Sequence, residues 1–78
     1  MNEQETVAEC ERLAEAAYAA MYDIRPHGVK DRYDDARVHF RRAIEAARSG
    51  GLDDEVARLT LRLEHIENVY NNQFRGVG

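Results

Sequence analysis

The 78-residue chain is predicted to be all-α, a three-helix up-down-up antiparallel bundle, on three observations. Three segments carry apolar residues at alternating steps of three and four, the period of a helix with one buried face. Two breaks separate them, Arg25-Pro26-His27-Gly28 and Ser49-Gly50-Gly51, and connections this short favour antiparallel neighbours. The first of these segments, in which Val7, Cys10, Ala14, Ala17 and Met21 advance by steps of three and four, is a helical face and cannot be a strand.

The first helix is expected over about residues 3–23. Val7, Cys10, Ala14, Ala17, Met21 and Ile24 form its seam, widened by Leu13 and Tyr18. Asn2 and Thr6 each have a glutamate three residues on, Glu5 and Glu9, so either could cap its start in capping-box spacing. Pro26 disfavours helical backbone at Arg25, and Gly28 permits a positive φ, which predicts a turn there.

The second helix is expected over about 31–48, capped by Asp31 with Asp34 at the capping-box position. Its seam, Tyr33, Ala36, Phe40, Ala43 and Ala47, alternates large residues with small ones. Alanine lets a neighbouring helix approach closely while the aromatic rings fill the space between. Gly50 and Gly51 stop it. The third helix is expected over about 53–73, with Leu52, Val56, Leu59, Leu63, Ile66, Tyr70 and Phe74 in line. Asp53, Asp54 and Glu55 suit the positive end of its dipole. Residues 75–78 have no pattern and are expected to fray.

Residues 1–78 therefore read as one small helical domain, and a chain of this length buries only roughly 60% of the surface its unfolded form exposes. Its 44% hydrophobic content against 33% charged residues suits a packed domain rather than a disordered one. The single cysteine, Cys10, can form no internal disulfide. No apolar run reaches the length of a signal or a membrane span, so the expected setting is the cytoplasm, away from membranes.

The net charge of −4 conceals a gradient. Six acids face Arg12 alone in residues 1–23, whereas residues 24–51 carry seven bases against four acids. An acidic first helix beside a basic second one is expected to form an attractive pair within the fold.

The run Tyr33-x2-Ala36-x3-Phe40-x2-Ala43-Ile44 resembles the second helix of a tetratricopeptide repeat. It is also similar to the corresponding stretch of the three-helix domain of microtubule-interacting and transport proteins. Both resemblances imply a helical scaffold whose grooves take peptides or partner helices.

Catalytic and metal chemistry find few candidates. None of the histidines, His27, His39 and His65, is paired with another at helical spacing, and His-x3-His, Cys-x2-Cys and Glu-x2-His are all absent. Asp35 lies one turn before His39, a spacing that serves either to orient an imidazole or as a solvated surface pair. His27 reads as exposed in its turn. Cys10 falls on the apolar seam between Glu9 and Glu11, which suits a core cysteine rather than a nucleophile. The acid pairs Asp34-Asp35 and Asp53-Asp54 sit where capping explains them. No phosphate-binding loop and no nucleophile motif is present. Neither an enzyme nor a cofactor is expected.

Two surfaces remain. Arg37, Arg41 and Arg48 share one strip of the second helix and could bind phosphate or carboxylate, unless acids of the first helix neutralise them. Nucleic acid is not the expected ligand, because the chain is acidic and its tyrosines mostly occupy seams. The other surface comprises Ala57, Leu61, His65 and Val69 on the outer side of the third helix, with Val38 outward on the second. The expected function is that of a protein–protein interaction module, docking a partner or a second copy. An anion- or nucleic-acid-binding regulator using Arg37, Arg41 and Arg48 is the alternative.

Overall fold

The computed structural model describes residues 2–23 and 26–74 and contains three helices and no strand among them. They are α1 (Glu3–Ala20), α2 (Pro26–Ser49) and α3 (Asp53–Val69), the last continued by a π-helical turn over Tyr70–Phe74. The antiparallel three-helix bundle is thus the observed architecture. Glu3 lies beside Gly50, so α1 and α2 run in opposite directions. Glu11 and Glu15 meet Arg58 and Arg62 in the same order, so α1 and α3 run parallel.

Asn2 is the cap of α1. Its Oδ1 accepts the Glu5 N–H at 2.8 Å, satisfying one of the donors that a helix start leaves free. Thr6 lies inside the first turn, its hydroxyl donating to the Asn2 carbonyl at 3.3 Å. The helix closes three residues before the expected end. Met21, Tyr22 and Asp23 donate to Tyr18, Ala19 and Ala20, each at 3.1 Å, the tightened i to i+3 pattern common at helix termini.

The start of α2 differs more from expectation. It begins at Pro26, not at residue 31, and runs through Gly28 without a positive φ. Proline is well suited to a first helical position, where its ring presets φ and the missing N–H would have had no partner. The early start places Asp31 inside the helix rather than at its cap, and Asp34 pairs with Lys30 at 2.9 Å across one turn. It also adds Val29, only 3% exposed, to the seam. The side chain of His27, and residues 75–78, lie outside the described residues.

The α2–α3 connection is a Schellman motif. Gly51 has φ 70°, Gly51 N–H donates to Arg48 and Leu52 N–H to Ala47, at 3.1 and 2.8 Å, and Leu52 packs on the core cluster that includes Ala47. A β-carbon at Gly51 meets no neighbour but forces a side chain into left-handed backbone. Gly51→Ala is therefore expected to lower stability by about 1 kcal/mol. A thermal melt should read this as a loss of roughly 4–8 °C in Tm. Gly50 has a different role. A β-carbon there would stand 2.7 Å from Cβ of Glu3, so the bare glycine lets the start of α1 close over the end of α2.

The seams meet in one core. Val7, Ala14 and Met21 of the first segment, the α2 series from Val29 to Ala47, and Leu59, Leu63 and Ile66 of α3 are buried. Phe40 sits at its centre, fully buried, and Ala14, Ala36, Ala43 and Ala47 are also fully buried. Alanine at these contacts brings the helix backbones close, and Phe40, Leu59 and Ile66 fill the remaining volume. Cys10, Val56 and Tyr70 are half-buried and pack against the cluster.

Candidate functional site

The arginine strip of α2 is not neutralised by α1. Nε of Arg37 lies 3.3 Å from a carboxylate oxygen of Glu67 in α3, off the axis of a hydrogen bond. Its guanidinium also sits 5.3 Å from the Tyr33 ring centroid. Tyr33 in turn stacks on Tyr70, centroids 3.8 Å apart and planes within 2°. Arg48 pairs with Glu45 of its own helix at 2.8 Å. Arg41 is exposed and has no carboxylate partner among the described residues, and the same holds for Arg42. Of the strip, then, Arg41 alone has no carboxylate partner among the described residues.

The expected electrostatic partners were the wrong helices. The acids of α1 that reach across the bundle bind α3: Arg58 donates to both oxygens of Glu11 at 2.7 and 2.8 Å, and Arg62 to both oxygens of Glu15 at 2.8 and 2.9 Å. Arg58 also holds Glu55 of its own helix, at 2.6 and 3.2 Å, while Arg62 lies 5.2 Å from the Tyr18 ring centroid. Both pairs across the helices are bidentate, which fixes geometry as well as charge. The signal was present in sequence, since Glu11 and Glu15 share the one-turn spacing of Arg58 and Arg62. Spacing alone could not say which helix faces which.

The Arg58 hydrogen bonds hold the carboxyls of Glu11 and Glu55 below the ordinary glutamate value of 4.5, against a smaller opposing effect of burial. A carboxyl depressed in the folded state contributes stability that is present above its unfolded value and is lost as pH falls through the folded one. Stability should therefore decline below about pH 4.5. Glu11→Gln, compared with the parent by denaturant titration at neutral and acid pH, is expected to lose stability at neutrality and to show a shallower acid decline. Equal acid slopes would show that this pair carries none of the dependence.

Among the described residues no three His, Cys, Asp or Glu side chains converge to hold a metal ion. Asp35 is engaged by Arg32 at 2.9 Å, and Nδ1 of His39 is buried without a partner. No helix of the described residues is long and apolar enough to cross a membrane.

Comparison with protein-family models, with curated proteins and with solved structures gave no match.

Of the predicted partner surface, Leu61 is 67% exposed, and Ala57 and His65 are exposed one turn to either side. Val69 is half-buried. Val38, 43% exposed, points away from the core on α2, so it diverges from the α3 strip instead of extending it. Tyr22 is 53% exposed but shares edge-on contacts with Tyr18 and Phe74, centroids 5.6 and 5.1 Å away. The Tyr18 and Tyr22 hydroxyls are 3.1 Å apart. Every tyrosine and Phe74 thus gather at one end of the bundle, an arrangement the separate seams did not announce. At the opposite end, a groove of about 280 Å³ opens between α1 and α3, lined by Val7, Ala8 and Leu52 together with Gln4, Glu11 and Glu55.

Proposed function

We propose that this chain is a small helical protein–protein interaction module without catalytic activity, which docks a partner helix or a second copy on the outer face of α3. The observation that carries this reading is Leu61, the most exposed large apolar side chain among the described residues, flanked by exposed Ala57 and His65 on one strip. Burying a leucine contributes about 1.5–3 kcal/mol, enough for a central contact of a small interface. The resemblance of residues 33–44 to helical scaffolds that take peptides supports the same reading. The lone Cys10, half-buried, supports a reducing, cytoplasmic setting. The arginine strip supports anion binding less well, because Arg37 and Arg48 already have partners.

Sedimentation over a range of concentrations, together with partner capture, tests it. The parent is expected to self-associate or to retain a partner, and Leu61→Lys to abolish this while leaving the melting temperature within a few degrees, as for exposed helix positions. A protein that stays monomeric and retains nothing would overturn the proposal. So would an association that Leu61→Lys leaves intact.

A further inference from the structure

The groove between the N-terminal halves of α1 and α3 is distinct from the Leu61 strip, which lies on the other side of α3. Its lining is Val7, Ala8 and Leu52 on the apolar side and Gln4, Glu11 and Glu55 on the polar side. At about 280 Å³ it stands at the lower edge of the roughly 300–1,000 Å³ usual for small-molecule sites. One or two large side chains of a docking segment suit it better.

Charge indicates which segment. At this end of the bundle, residues 2–12 and 45–58 carry Glu3, Glu5, Glu9, Glu11, Glu45, Asp53, Asp54 and Glu55 against Arg12, Arg48 and Arg58. Eight carboxylates against three guanidiniums leave five negative charges, more than the −4 of the whole chain, so the rest of the protein is close to neutral. Two helix N-termini point here and contribute only about half a positive charge each. A large negative excess survives that correction. It surrounds a hollow whose six lining residues are half apolar and half polar, the complement of a segment that has apolar residues on one face and lysine or arginine on the other.

We propose that the α1/α3 groove binds a cationic amphipathic helix of a partner protein. A large aliphatic or aromatic side chain of that helix seats on Val7, Ala8 and Leu52. Its basic residues lie toward Asp53 and Asp54, which have no cationic partner among the described residues, because Arg58 already engages Glu11 and Glu55. Arg58 remains clamped between Glu11 and Glu55, where it closes one end of the groove and keeps those carboxylates in place.

A fluorescein-labelled helical peptide of leucine and lysine, with leucines at i, i+3, i+4 and i+7, is the probe. Anisotropy titration at low salt is expected to give saturable binding to the parent, weakened by added salt. The same peptide with glutamate in place of lysine should bind at least about tenfold more weakly. Ala8→Arg and Gln4→Lys place a cation in the groove at exposed helical positions and should each weaken the lysine peptide at least about tenfold. Leu61→Lys should leave peptide binding unchanged, which separates this site from the one proposed on the outer face of α3.

The proposal is overturned if neither groove variant, each melting like the parent, alters peptide affinity, since the attraction is then diffuse. It is also overturned if the parent binds no peptide, or if it forms a dimer that Ala8→Arg dissociates, the groove then being covered by a second copy.

Discussion

Phe40→Ala is expected to be the most damaging single substitution, costing about 3–5 kcal/mol. Phe40 is fully buried at the middle of α2, between the seams of α1 and α3. Removing its ring leaves a cavity, and close collapse would require the helices to slide past fully buried alanines. A domain of this length has a total stability of only about 4–12 kcal/mol, so the loss is a large part of the whole. At roughly 4–8 °C per kcal/mol for small domains, the thermal midpoint should fall by about 12 °C or more. Far-UV circular dichroism during heating reads this directly. A shift of under about 5 °C would mean that the three seams do not close around this ring.

Ala43→Leu tests the opposite property of the same face. Ala43 is fully buried, and the helices approach closely because its side chain is a single methyl. Three extra carbons must push the helices apart or force neighbouring side chains off their rotamers, at about 1–3 kcal/mol. The gain in apolar area cannot be realised where no space exists. Ala57→Leu, on the exposed side of α3, adds the same carbons and should stay within about 0.5 kcal/mol. The contrast matters more than either value. If both substitutions proved equally mild, the close packing of small residues against Phe40 would not be the source of the bundle's fit.

The legible and illegible parts of this protein divide along physical lines. The core positions of α2 and α3 follow directly from their spacing, as Phe40, Ala43, Leu59 and Ile66 show. The cap at Asn2 and the Gly50-Gly51 stop were legible too, because both depend on residues within one helical turn. Pro26 misled because the same ring that disfavours helix at the residue before it favours helix from its own position onward. Val29 was the available clue, since it continues the α2 seam by one further step. The candidate surfaces divide in the same way. Leu61 could be placed outward from periodicity alone, whereas the α1/α3 groove depends on residues of two helices separated by most of the chain.

What the sequence by itself determined is the number of helices, the side of each that is buried and the position of the α2–α3 turn. All of these arise from interactions between residues a few positions apart. The tertiary structure decided which charges meet. Arg58 and Arg62 hold Glu11 and Glu15 across 47 positions, Arg37 reaches Glu67, and Tyr33 stacks on Tyr70. The reason is physical: helical period specifies which direction a side chain points, but a partner is specified only when the packing of buried side chains sets the register between helices.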